Sequence, residues 1–379
     1  MKPLKILIIT NNYTPYAGGL VSSIQAAVSE LDSLGHRPFV ATLDFLGAQH
    51  ADPAHVFRVH CPMKFMRSSN HMAIPWRAPK QLANLMKKIQ PDIVHLQHPF
   101  LLGVAGLASA RALGIPVVFT YHTMYEKYAH YVPLFGELAA PFILRKVLKF
   151  CAQVDGIVVP SNGMQEMLQA HRIPVPMAVI PSGLRSQFLD SRRNFSAPVA
   201  HRPFRLLYVG RLTKEKNIPF LLDMFAKLPL GKYSLMLVGY GAEASICKKY
   251  AFEKLRLDPH YVQFVEKPNN LVELYAQSDL FVFPSQTDTQ GIVLAESLSQ
   301  GTPIIALDGC GQRDAIIEGQ NGYIVQNQAA MIATIERIAA DPEMHVALCR
   351  GARESAARYA PGIVIDRLIN FYRQTLDAL

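Results

Sequence analysis

Apolar residues fall in short runs along this chain, and between the runs the spacing changes to the rhythm of a helix that buries one face. LKILIIT from Leu4, PFVATL from Pro38, DIVHLQ from Asp92, PVVFTY from Pro116 and GIVVPS from Gly156 predict strands, each with a helical stretch before the next. Such alternation specifies a parallel sheet wound with helices. After Ile180 the rhythm lapses: residues 181–203 hold Pro181, Gly183, Pro198 and Pro203 among polar residues, which predicts a linker. A second series follows, with FRLLYVG from Phe204, YSLMLVG from Tyr233, YVQFVE from Tyr261, LFVFPS from Leu280 and TPIIALD from Thr302. The expected fold is α/β, with two Rossmann-like, doubly wound domains facing a central cleft. They span residues 1–180 and 204–360, joined by the linker over 181–203, and a C-terminal helix over 361–379 packs back on the first domain. Ligands of such sheets sit beyond the carboxyl ends of the strands, so the cleft is the expected active site.

Composition agrees with two cores. The chain has 379 residues, of which 50% are hydrophobic and 18% charged, so it can bury extensive apolar surface. Its five cysteines, Cys61, Cys151, Cys247, Cys310 and Cys349, form no C-x-x-C pair, which argues against a zinc site or a disulfide framework and for a reducing compartment. The first apolar run is short and passes directly into Asn11 and Asn12, as a buried strand does and a secretory signal does not. Residues 100–120 are interrupted by Gly103, Gly106, Arg111, Gly114 and Pro116, short of the roughly 20 apolar residues of a membrane span. A cytoplasmic protein without a spanning helix is expected. The net charge of +9 favours an acidic partner: nucleic acid, an anionic membrane surface or a phosphate-bearing substrate.

The strongest chemical signal is FPSQTDTQGIVLAESLSQGTPIIA over residues 283–306. A strand ends at Phe283, a polar loop carries Asp288, and Gly291 and Ile292 open a helix that holds Glu296 about a turn inside. Unpaired amides at such a start form a phosphate site, and an acidic residue beyond them can accept from a ribose diol. An Asp288 that only caps the helix and a solvated Glu296 account for this loop equally well. GRLTKEKN over residues 210–217 directly follows a strand, which places Arg211 and Lys216 where two fixed cations can neutralise a diphosphate; Lys214 reads as ordinary surface. Gly18 and Gly19 follow the first strand, where glycine admits close approach of a phosphate and where a tight turn is as good an explanation. His122 closes another strand on the expected cleft edge.

PSQTDTQGIVLAESLSQGTPIIA, GRLTKEKN and PYAGG together resemble glycosyltransferase family 4, the large retaining GT-B group, over essentially the whole chain. The resemblance implies transfer of a hexose from a nucleotide diphosphate donor. It implies that Arg211 and Lys216 bind the diphosphate, that Glu296 holds the ribose, that Gly19 lies near the phosphates and that His122 contacts the sugar. Asp288 stands where the family usually has a glutamate that grips the sugar hydroxyls. PSGLRSQF over residues 181–188 also departs from the family, with Leu184 and Arg185 where an aspartate that orders the hinge is usual. No Asp-x-Asp motif is present, so the leaving nucleotide is expected to be met by Arg211, Lys216 and helix amides, with no metal and no cofactor.

The acceptor is written less plainly. FTYHTMYEKYAHYVP over residues 119–133 and DIVHLQHPFLLG over 92–103 are similar to the transferases that glucosylate diacylglycerol and, less closely, to those that mannosylate phosphatidylinositol. In the first run, Glu126, with His130 and Tyr131, could orient an acceptor hydroxyl. Residues 63–88 carry Lys64, Arg67, Arg77, Lys80, Lys87 and Lys88 with no acid, and hold Trp76; tryptophan beside cations suits an anionic bilayer surface, and a basic loop and helix on a soluble enzyme read the same way. PFILRKVLKF over 141–150 predicts an amphipathic helix bearing Arg145, Lys146 and Lys149. The reading is a glucosyltransferase using UDP-glucose, peripheral on the inner face of the cell membrane, with diacylglycerol as acceptor. A soluble or polysaccharide acceptor with GDP-mannose as donor is the alternative, and a nucleic-acid-binding protein without chemistry explains the charge but not Arg211, Lys216 and Glu296.

Overall fold

The computed structural model describes residues 2–15, 18–45, 52–67, 70–127, 136–189 and 202–379. The chain divides into two compact units, Met1–Arg185 with Pro361–Leu379, and Ser186–Ala360. Part of the expected linker, residues 190–201, lies outside the described residues, as do His130 and Tyr131.

The strands of the first unit are β1 (Lys5–Thr10), β2 (Arg37–Leu43), β3 (Val56–Val59), β4 (Met63–Arg67), β5 (Asn70–Ile74), β6 (Ile93–Leu96), β7 (Val117–Thr120), β8 (Gly156–Val159) and β9 (Met177–Val179), and its helices before the linker are α1 (Gly19–Ser33), α2 (Ala78–Ile89), α3 (Leu102–Ala112), α4 (Ala140–Cys151) and α5 (Asn162–Ala170). Seven strands form a parallel sheet in the order β3-β2-β1-β6-β7-β8-β9. Every residue of β6, β7 and β8 is buried, as expected of strands covered by helices on both faces. The basic stretch from residue 63 is not a loop and helix throughout: β4 and β5 pair antiparallel from Met63↔Ile74 to Arg67↔Asn70, and only then does α2 begin. Hairpin pairing satisfies the backbone groups that a loop would leave to water.

In the second unit β10 (Phe204–Val209), β11 (Tyr233–Val238), β12 (Val262–Val265), β13 (Leu280–Phe283), β14 (Ile304–Leu307) and β15 (Gly322–Val325) form a parallel sheet in the order β12-β11-β10-β13-β14-β15. The helices are α6 (Ile218–Phe225), α7 (Ala244–Lys249), α8 (Leu271–Gln277), α9 (Ile292–Ser299), α10 (Cys310–Ala315), α11 (Gln328–Ala340) and α12 (Pro342–Ser355). Local chemistry sets several of their starts. Asn270, Asn327 and Asp341 each accept a backbone N–H of the first turn, at Glu273, Ala330 and Met344, and each such cap contributes about 1 kcal/mol.

The last helix, α13 (Pro361–Asp377), belongs to the first unit. It buries Val364, Ile365, Leu368, Ile369, Phe371 and Tyr372 in a cluster with Val21, Ile24, Val28 and Leu31 of α1 and with Ile6 and Ile8 of β1. At roughly 1.5–3 kcal/mol for each fully buried side chain of this kind, that face holds the helix firmly. Gly156 makes room for it, since a Cβ there would lie 2.9 Å from the Phe371 ring. The Tyr372 hydroxyl pairs with His95 Nδ1 at 2.7 Å, and His95 Nε2 with Thr120 Oγ1 at 2.6 Å, so a polar bridge crosses an otherwise apolar seam.

Candidate active site

β10 and β13 are neighbours where the strand order of the second sheet reverses, so the loops that follow them leave the sheet in opposite directions and open a crevice. Both strongest sequence signals lie on those loops. Lys216, in the short turn Lys214–Lys216, donates from Nζ to Asp288 Oδ1 at 2.6 Å; the two side chains are 9% and 16% exposed. Residues expected to act separately are thus an ion pair. The Lys216 ammonium also lies 5.9 Å from the Phe283 ring, which is stacked on Tyr208. Burial pushes the Asp288 carboxyl up, but the charge and hydrogen bond of Lys216, with the Ser285 hydroxyl and Arg211, outweigh it and hold the pKa below its ordinary value. Its other oxygen, Oδ2, is enclosed and takes no hydrogen bond.

Arg211 has a half-exposed guanidinium held by a residue that the sequence reading passed over. Glu215, 2% exposed, accepts from Arg211 Nη2 at 3.2 Å and from Thr213 Oγ1 at 2.7 Å. The clue was present in GRLTKEKN, where the acid stands four residues after the arginine. Neighbouring loops are locked on each other by close backbone contact. A Cβ at Gly239, where φ is 141°, would sit 1.9 Å from the Gly210 carbonyl oxygen, and one at Gly311 would sit 2.5 Å from the Gln290 backbone. Gln312 Nε2 donates to the Ser285 carbonyl.

Gly291 takes the left-handed conformation, φ 68°, immediately before Ile292 opens α9. Glu296 is buried in α9, where its Oε2 accepts from the Tyr275 hydroxyl at 3.0 Å, so it is not a residue of a solvated face. Tyr275 carried no sequence signal, being one apolar-face residue of a short helix.

In the first unit the carboxyl ends of β1, β6 and β7 bring together Asn11, Gln97, His98 and His122. Asn11 donates its backbone N–H to His98 Nδ1 at 3.2 Å, and its side chain bonds the Phe100 carbonyl and the Leu102 N–H. His122 Nε2 lies 2.6 Å from Gln97 Oε1. Burial drives His95 and His122 down to about 3 and His98 to about 4, so all three rings are neutral at physiological pH. Beside them is a cavity of about 70 Å³ lined by His95, Gln97, Thr120, His122, Ser182 and Tyr372 among others. Gly18 is extended, a conformation open to any residue, and Gly19 begins α1. Glu126 lies in the turn after β7 with Oε2 buried and without a hydrogen-bond partner. Among the described residues no group of histidine, cysteine and acidic side chains is arranged to hold a metal ion.

The basic candidates are at the surface. Trp76 is 59% exposed with the Arg77 guanidinium 5.7 Å from its ring, Lys80 is exposed, and Met63, Phe65 and Ile74 of the adjoining hairpin are exposed too. In α4, Arg145, Lys146 and Lys149 face outward with Phe142, while Val147, Phe150 and Cys151 are buried. Among the described residues no helix is long and apolar enough to cross a membrane.

Residues 17–188 match the family described as Glycosyltransferase Family 4, and residues 191–355 match Glycosyl transferases group 1. An alpha-monoglucosyldiacylglycerol synthase of Streptococcus pneumoniae is 28% identical over 356 residues, covering 90% of this chain and 80% of the relative. A GDP-mannose-dependent alpha-mannosyltransferase of Mycolicibacterium smegmatis is 27% identical over 392 residues, covering 98% of each. Among solved structures, a sucrose-phosphate synthase from Thermosynechococcus elongatus superposes with a TM-score of 0.80 at 21% identity over 99% of this chain and 100% of that one. Anabaena HepE in complex with UDP gives 0.74 at 18% identity with the same coverage. Likeness at these identities establishes the GT-B fold.

Proposed function

We propose, from the premise that the chain belongs to the GT-B glycosyltransferases of family 4, that this hexosyltransferase moves glucose from UDP-glucose to the hydroxyl of a lipid such as diacylglycerol, with retention and without a metal. The observation that carries the donor half is the Lys216–Asp288 pair beside the half-exposed Arg211 at the crevice of the second sheet. There the two cations neutralise the diphosphate, Asp288 holds the sugar hydroxyls, and Glu296 accepts the ribose hydroxyls. His122 is the further residue proposed for the sugar, Gly18 and Gly19 for the phosphates, and Glu126 for the acceptor. The bond between the anomeric carbon and the diphosphate oxygen breaks with its electrons passing to that oxygen. The acceptor hydroxyl attacks from the same face, forms the new glycosidic bond and gives its proton to the departing phosphate oxygen.

The lipid half is supported by the relative named for glucosyldiacylglycerol synthesis and by the exposed Trp76 with Arg77 and Lys80, a composition suited to an anionic bilayer surface. On α4, Arg145, Lys146 and Lys149 add charge on the outward face. A second reading, mannosyl transfer from GDP-mannose or transfer to a soluble or polysaccharide acceptor, is favoured by the mannosyltransferase relative, which is nearly as similar and covers more of the chain. The test is turnover of a panel of nucleotide sugars with diacylglycerol in anionic vesicles, and with soluble sugars, all in chelator. Glucosyl transfer to lipid alone is the expected result; transfer only to soluble sugars, or only from GDP-mannose, overturns the proposal, and loss of turnover in chelator overturns its metal-free part.

A further inference from the structure

Glu296 sits in a constructed setting rather than an open crevice wall. Its Oε2 accepts the Tyr275 hydroxyl at 3.0 Å, and Tyr275 is itself fully buried. The tyrosine is fixed at both ends. The Thr302 hydroxyl donates to its carbonyl at 2.6 Å, and its ring meets Phe188 edge-on at 6.0 Å and Phe281 at 5.6 Å. Phe188 is fully buried as well, and its carbonyl accepts from Gln300 Nε2 at 3.1 Å. Phe188 closes the short turn Ser186–Phe188, where the chain enters the second unit. One row of contacts therefore runs from that entry segment through the Tyr275 ring to the carboxylate.

We infer that Tyr275 is a positioning residue that fixes the rotation of the Glu296 carboxylate and thereby sets recognition of the donor's ribose. The inference rests on the reading of Glu296 as the ribose acceptor. A carboxylate has about four lone-pair directions, and one strong donor at Oε2 orients those that remain. A cis diol needs two acceptors in one plane, so an unpinned carboxylate satisfies one hydroxyl at the expense of the other. Phe188, at the end of the Ser186–Phe188 turn, stands behind the tyrosine and supports the ribose site by packing.

The experiment compares UDP with 2′-deoxy-UDP as inhibitors of glycosyl transfer, and measures donor KM and kcat, in the wild type, Tyr275→Phe, Glu296→Gln and the double variant. Phenylalanine keeps the ring and its packing, and thermal unfolding of each variant confirms folding. Binding that loses a hydrogen bond to a charged group falls by roughly tenfold or more. Tyr275→Phe is expected to raise donor KM about tenfold with kcat within about twofold, to shrink the preference for UDP over its deoxy form by a similar factor, and to have no further effect on top of Glu296→Gln. A Tyr275→Phe effect that persists undiminished in the Glu296→Gln background, or an unchanged ribose preference in Tyr275→Phe, overturns the inference. An unchanged preference in Glu296→Gln alone overturns the underlying reading of Glu296 and the inference with it.

Discussion

Replacing Asp288 by asparagine removes a charge while keeping an acceptor of nearly the same shape, and so isolates the electrostatic part of the Lys216 pair. The ammonium and carboxylate lie 2.6 Å apart with side chains 9% and 16% exposed. Coulomb's law at an effective dielectric of about 20 gives an attraction of roughly 6 kcal/mol, an upper figure because both charges lose water on burial. Removing one partner of a buried pair costs about 3–5 kcal/mol; the retained acceptor puts Asp288→Asn near the lower end, about 3 kcal/mol. For a unit of this size that is a fall of roughly 6–12 °C in Tm. Scanning calorimetry, or urea unfolding followed by circular dichroism, reads it directly. UDP brings negative charge to the stranded lysine, so it should raise the variant's Tm more than the wild type's. The pH dependence has a fixed sign. The folded pKa of Asp288 lies below its ordinary value of 3.8, so the wild-type advantage is fully present above about pH 4 and disappears as pH falls through the folded value. A variant within about 0.5 kcal/mol of the wild type at pH 7, with an unchanged response to UDP, would refute the assignment of Lys216 and Asp288 as a stabilising donor-site pair.

The three neutral histidines predict acid sensitivity: their pKa values fall to about 3 and 4 in the folded chain, so the unfolded chain takes up protons below about pH 6.5 that the folded chain refuses. Stability should drop by up to about 4 kcal/mol per pH unit between about pH 5.5 and 4.5, and a flat urea midpoint across that window would count against buried, neutral rings. Gly239→Ala should cost more than about 3 kcal/mol and raise donor KM, because the new methyl meets the Gly210 carbonyl and the backbone there is left-handed; a soluble variant with unchanged unfolding and KM would contradict this packing. Trp76→Ala should leave Tm nearly unchanged, since the ring is 59% exposed, while weakening sedimentation with anionic vesicles about tenfold; equal binding by both proteins would remove Trp76 from any membrane surface.

Much of the fold was legible because parallel strands buried on both faces are written as mostly apolar runs, and β1, β6, β10 and β13 were each visible as such. Residues fixed by local chemistry were legible too: Arg211, Lys216 and Asp288 sit on loops that must follow a strand, and Gly291 takes a conformation that suits glycine. The β4–β5 hairpin and the short edge strands β3, β9 and β15 were missed because their patterns are too brief to separate from loop. Only the tertiary structure joined Lys216 to Asp288, 72 residues apart, and put Tyr275 on Glu296 and Gln97 on His122. The sequence determines which side chains the loops carry, since helix and strand periods are local properties of the chain. Which of them neutralise or orient one another depends on strand order and loop packing across the sheet, and those distances exist only once the core has formed.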